Sequence, residues 1–179
     1  MSQSEALLEG LRQGDEAAFE AIFHTYYGRV FALAYRLLGS AQEAEDIAQE
    51  TFLRLYLRPL PRGRNHNLLA WLMRVATNLA YNAVRARRRR QMKEKRPPTA
   101  TTSEANPAEQ VMQADTSRRV REVLASLPER QVQLLLLRHA GLSYEELATT
   151  LGVAPGSVGT LLARAERAFQ QRYTELEER

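Results

Sequence analysis

Between Glu16 and Leu38 the apolar residues Phe19, Ile22, Phe23, Tyr26, Val30, Phe31, Ala34 and Leu38 fall three and four positions apart. That spacing gathers them on one side of a helix, whereas a strand would scatter them over both faces. The same period returns in the other long segments, and no stretch alternates with period two for long. A chain patterned this way buries its stripes helix against helix. The expected fold class is all-α: two small helical domains, a bundle and a helix-turn-helix unit, joined by a flexible linker.

Punctuation sets the elements. A short helix starts near Ser4, carries Leu7, Leu8 and Leu11 on one side, and breaks at Gly14. The second, about Glu16 to Leu38, ends on Gly39 as a C-cap. Ser40 and Glu43 have the spacing of a capping box for a third helix over about 41–57, with Ile47, Ala48, Phe52 and Leu55 as its inner stripe. Pro59, Pro61 and Gly63 make Arg58 to Asn67 a loop. A fourth helix is expected over about Leu68 to Arg90, with Leu72, Val75, Ala76, Leu79, Ala83 and Val84 inward. Residues 91–113, rich in Pro, Thr, Ser and Asn around Pro97, Pro98 and Pro107, read as a linker. The domains are therefore expected at 1–90 and 114–179.

Charge is unevenly distributed along the chain. Residues 1–57 carry a net −5, residues 58–98 a net +11 with twelve basic side chains against one acidic, and residues 99–179 a net −2. Five arginines, Arg85 and Arg87 to Arg90, end the fourth helix, more than its dipole requires. A basic block beside helical periodicity points to a polyanion, nucleic acid before membrane surface. The chain has no cysteine, which excludes disulfides and thiolate metal sites and fits a reducing cytoplasm. No apolar run approaches the roughly 20 residues that span a bilayer, and the acidic start MSQSEALLEG is unlike a signal peptide.

The sharpest local pattern lies near the C-terminus. Ser143 and Glu146 form a capping box for a short helix ending at Leu151; Gly152 turns, and a longer helix starts about Pro155. Ala148, Gly152 and Val158 have helix-turn-helix spacing, with Leu147, Val153 and Leu162 filling the shared core. The second helix would present Ser157, Gly159, Thr160, Arg164 and Arg167 to a DNA groove. The spacing alone also fits an ordinary helical hairpin. The surrounding domain is net negative, so it lacks the strong phosphate attraction of a protein that holds DNA alone.

Three stretches carry a family resemblance. AEDIAQETFLRLY (44–56), LLAWLMRVATNLAYNAVRARRRR (68–90) and LASLPERQVQLLLLRHAGLSYEELATTLGVAPGSVGTLLARAERAF (124–169) follow one another with the spacing of an extracytoplasmic-function sigma factor of the sigma-70 superfamily, which the chain resembles over nearly its whole length. The resemblance implies region 2 over 1–90 and region 4 over 114–179. It implies core RNA polymerase as partner, held at the clamp helices through Asp46, Gln49, Glu50 and Leu53, and at the flap through region 4. It implies that Asn65, His66 and Asn67 capture a flipped base of the minus-10 element of promoter DNA, a step that costs a few kcal/mol. Trp71, Asn78, Tyr81, Asn82, Arg85 and Arg88 would line the path of the strand, by stacking and phosphate contact, although Trp71 fits a core position equally well. Minus-35 reading would fall to the helix-turn-helix residues. Here the chain departs from the pattern: many relatives carry lysine, serine and arginine where it has Gly159, Thr160 and Leu161, and Glu166 replaces a later arginine, although Arg164 stays. An anti-sigma protein is a further partner the resemblance implies.

Other function classes fare worse. His24, His66 and His139 are scattered without metal-ligand spacing, and no nucleophile motif or glycine-rich phosphate loop occurs. No catalysis, cofactor, metal or small-molecule substrate is expected. A free-standing helix-turn-helix regulator is the main rival, and a basic helical protein on RNA or a membrane surface a more distant one.

Overall fold

A computed structural model describes residues 3–61, 67–94 and 109–178, and every regular element among them is helical. In chain order these are α1 (Gln3–Arg12), α2 (Glu16–Leu38), α3 (Ala41–Leu57), α4 (Leu68–Glu94), α5 (Glu109–Ser126), α6 (Glu129–His139), α7 (Tyr144–Leu151), a 3-10 turn over Pro155–Ser157, and α8 (Val158–Glu177).

Local chemistry explains where the helices begin and stop. Asp15 caps α2 by accepting from the Ala17 amide at 2.9 Å. Gly39 ends α2 in the left-handed region, φ 73°, and its N–H returns to the Tyr35 carbonyl. The expected box at the start of α3 is only half formed. Ser40 Oγ accepts from the Glu43 amide, but the Glu43 carboxylate lies 3.4 Å from the Arg87 guanidinium, a charge partner that competes with the cap. The box at α7 is complete: Ser143 and Glu146 serve each other's backbone amides. Gly152, φ 63°, then turns the chain toward α8.

Four helices, α1 to α4, wrap a core of Ile22, Leu33, Phe52, Leu55, Leu72 and Met73, all essentially sealed from solvent. Each such side chain contributes on the order of 1.5–3 kcal/mol of burial. Along α2, Phe19, Phe23, Tyr27, Phe31 and Tyr35 form a ladder with centroids 4.8–6.3 Å apart, and Phe52 of α3 packs 4.9 Å from Phe23. The second set, α5 to α8, closes on Leu134, Leu137, Leu142, Leu147 and Val158.

The two sets also pack on each other, α5 on α2 and α7 on α4. This contact explains a difference on α4. The structure buries Leu72, Met73, Ala76, Thr77, Ala80 and Tyr81, while the expected inward residues Val75, Leu79, Ala83 and Val84 are half-buried. A helix covered from two sides buries more than the single stripe its period reveals. Helices α4 and α5 also reach into the stretch expected as linker. Arg, Gln, Met, Lys and Glu are good helix formers, so α4 continues to Glu94, short of Pro97. The middle of that stretch, 95–108 with its three prolines, lies outside the described residues.

Candidate nucleic-acid interface

The outer face of α3 is turned away from the core by the burial of Ala44, Ala48, Thr51, Phe52 and Leu55. Asp46, Gln49 and Leu53 are exposed on it and Glu50 is half-buried beside them. Glu50 pairs with Arg54 one turn on, at 2.8 Å. Leu53 (49% exposed), Tyr56 (49%) and Leu57 (67%) continue the same face as an open apolar strip. Tyr56 and Leu57 escaped the sequence reading, although they stand three and four positions after Leu53 and so share its side of the helix.

Helix α4 supplies the basic face. Asn65 and His66 lie outside the described residues. Asn67 is the N-cap of α4: its Oδ1 accepts from the Ala70 amide at 3.0 Å, and its Nδ2 donates to the Glu146 carboxylate across the two helical sets. The chain entering this corner is held by Arg12, which donates to the carbonyls of Leu60 (2.7 Å) and Pro61 (3.1 Å) and pairs with Glu9 at 2.8 Å. Nothing in the sequence pattern marks Arg12 for this role, since its partners are backbone carbonyls 48 and 49 positions away. Trp71 is half-buried against the core.

Further along α4, Asn78, Asn82, Arg85 and Arg88 are exposed, with Asn78, Asn82 and Arg85 four and three residues apart on one side. Tyr81 is buried among them, and its hydroxyl donates to the Glu129 carbonyl at 3.3 Å. Burial, and then the nearby Glu129 carboxylate, hold this phenol well above the usual tyrosine range, so it stays a donor. Arg85 forms an ion pair with Glu129 at 2.9 Å. Arg87 is turned aside to the Leu38 carbonyl and Glu43, whereas Arg88, Arg89 and Arg90 are exposed. A polar cleft of about 260 Å³ lies between α4 and α6–α7, lined by Arg74, Thr77, Asn78, Glu129, Arg130 and Gln133 among others.

In the helix-turn-helix unit, Ser157, Thr160, Arg164 and Arg167 are exposed at three- and four-residue intervals along one face. Glu166 is exposed beside them. Gly159 is half-buried, and a Cβ there would stand 3.6 Å from the Tyr144 ring. Val158, Leu162 and Ala165 pin the opposite face of α8 into the core.

A basic helix beside an open acid-and-apolar face, with a helix-turn-helix unit behind them, defines a DNA-binding transcription protein. Family models resolve the class further: Sigma-70 region 2 matches residues 22–90 and Sigma-70 region 4 matches 117–169. The chain is 32% identical to the RNA polymerase sigma-H factor of Pseudomonas aeruginosa, over 94% of this chain and 93% of that one. It is 31% identical to the sigma factor CarQ of Myxococcus xanthus over 92% of both, and 27% identical to the sigma factor SigW of Bacillus subtilis over 94% and 96%. The fold is similar to the sigma factor RpoE in complex with the anti-sigma factor NepR from Bartonella quintana (TM-score 0.67, 23% identity, 87% and 96% covered). It is also similar to CnrH in complex with the cytosolic domain of CnrY (TM-score 0.71, 19% identity, 95% and 96% covered). The chain belongs to the extracytoplasmic-function sigma factors of the sigma-70 family.

Proposed function

We propose that this sigma factor binds core RNA polymerase through the outer face of α3, reads and holds the minus-10 strand along α4, and contacts the minus-35 element through α8. The carrying observation is that two faces of one helical bundle are chemically opposed. On α3, Asp46, Gln49 and Glu50 rim an exposed strip of Leu53, Tyr56 and Leu57, which suits a basic partner helix with an apolar centre. On α4, amides and arginines are arrayed for bases and phosphates. Asn65, His66 and Asn67 at the head of α4 are the proposed base pocket, with Trp71, Asn78, Tyr81, Asn82, Arg85 and Arg88 along the strand. Ser157, Gly159, Thr160, Arg164 and Arg167 are the proposed minus-35 set. With Gly159, Leu161 and Glu166 in place of basic contacts, the minus-35 contribution is small and polymerase supplies most of the anchoring.

The chain performs no catalysis of its own, takes no cofactor or small-molecule substrate, and works in the cytoplasm with polymerase; no described helix is long and apolar enough to cross a membrane. An anti-sigma protein is its expected regulator, as RpoE and CnrH are each seen with a protein of that kind or its named partner domain. In run-off transcription over genomic fragments, the chain with core polymerase should yield defined start sites that core alone lacks. Duplex binding at a specific operator without polymerase, and no new start sites, would instead support the free-standing regulator.

A further inference from the structure

The chain leaves α3 at Arg58 and passes through Pro59, Leu60 and Pro61 on its way toward the head of α4. Both prolines lack an N–H, so this turn has little means of tying itself with backbone bonds. Among the described residues, none of the three makes a backbone–backbone hydrogen bond. What holds them comes from α1. The Arg12 guanidinium uses all three of its nitrogens. Nε donates to the Leu60 carbonyl at 2.7 Å, Nη2 to the Pro61 carbonyl at 3.1 Å, and Nη1 to the Glu9 carboxylate at 2.8 Å.

Several features make this a clamp on the turn rather than a device for docking α1. Helix α1 is already pinned to the bundle by Leu8 and Leu11, both buried. Glu9, one turn before Arg12, sets the plane of the guanidinium through a charge-assisted bond, and both side chains are mostly covered from solvent. The Leu60 side chain is itself buried in the core, so that residue is held by its side chain and by its carbonyl at once. At the other end of the connection Asn67 caps α4 and Leu68 is buried. The proposed base-reading residues Asn65 and His66 stand four and five positions after Pro61 and immediately before that cap.

We propose that Arg12 is a positioning residue for minus-10 reading: from α1 it fixes the point at which the chain sets out for the proposed base pocket. This rests on the function proposed above. Arg12 acts through Leu60 and Pro61 rather than on the DNA. A binding constellation works only when held within about 0.5 Å of its productive geometry, and a turn rich in proline depends on an outside donor for that precision. Lysine is no substitute, because a single ammonium lacks the planar fork that spans two carbonyls and a carboxylate.

The test uses the full chain with core polymerase, on the fragments that yield start sites in the run-off assay, with the bases of the minus-10 element randomised. Sequencing the transcribed templates gives a base preference at each position. In the parent chain the flipped position should discriminate by roughly tenfold or more, the scale of one mismatched base. Arg12→Gln should flatten that position to about twofold, well below a normal mismatch effect. Preferences elsewhere in the element, and affinity for core polymerase by titration, should stay as in the parent. Arg12→Lys keeps the charge beside Glu9 and should fall between the two; it carries the test if Arg12→Gln does not fold. A role confined to docking α1 would lower the urea midpoint and the transcript from every template alike, with the profile unchanged. A parent-like profile in either folded variant overturns the role of Arg12 and leaves the minus-10 reading standing. A flat profile in the parent chain overturns the minus-10 reading, and this proposal with it.

Discussion

Glu50 illustrates how one residue can carry separable local and interfacial roles. Its pair with Arg54 is an exposed one-turn contact, worth about 0.3–0.5 kcal/mol to the helix. Glu50→Lys therefore leaves α3 folded, while it presents a cation to a partner expected to be basic. Titration against core polymerase should show a loss of roughly tenfold in affinity, about 1.4 kcal/mol, with an unchanged unfolding midpoint; unaltered affinity removes Glu50 from the interface. At this scale the sequence was partly legible. Acids and Leu53 outside the Ile47–Phe52 stripe announce a surface, because helical spacing fixes which residues share a side. Arg12 does not announce itself, because a guanidinium aimed at distant backbone carbonyls leaves no spacing to read. Asn67, expected as a base-reading amide, is found as the cap of α4, its Oδ1 accepting from the Ala70 amide while its Nδ2 donates to Glu146.

Elements were the most legible scale. The bounds of α2 and α3 follow from Asp15, Gly39 and Ser40, and α7 from Ser143 and Gly152, because caps are local chemistry. The buried side of α4 was less so, since part of what covers it comes from α7, remote in sequence. Gly39 joins the two kinds of information. Its φ of 73° reads from sequence as a helix stop, but a Cβ there would also meet Arg121 Nε at 3.2 Å. Gly152 has φ 63° with open space around it. Both Gly39→Ala and Gly152→Ala force alanine into the left-handed region, at roughly 1–2 kcal/mol. Gly39→Ala alone should also shift the Arg121 side chain. Urea unfolding of the two variants should show a comparable loss of stability, and proton spectra of the Tyr35 ring should shift only in Gly39→Ala. An unmoved Tyr35 signal there would dissociate Arg121 from the cap.

For the whole molecule, the charge blocks that looked like a division of labour along the chain become a spatial complement: acidic first turns of α6 and α7 lie against the basic helix α4. No reading of periodicity places those segments together, because the pairing spans 44 positions or more. The open strip on α3 has its own consequence. Three large apolar side chains in a row, uncovered whenever no partner is bound, form a patch that invites self-association. Leu57→Gln should suppress concentration-dependent sedimentation of the isolated chain while leaving its helicity unchanged, and sedimentation that is independent of concentration in the parent would contradict this. An apolar strip left open in this way ties the solubility of the isolated chain to its concentration.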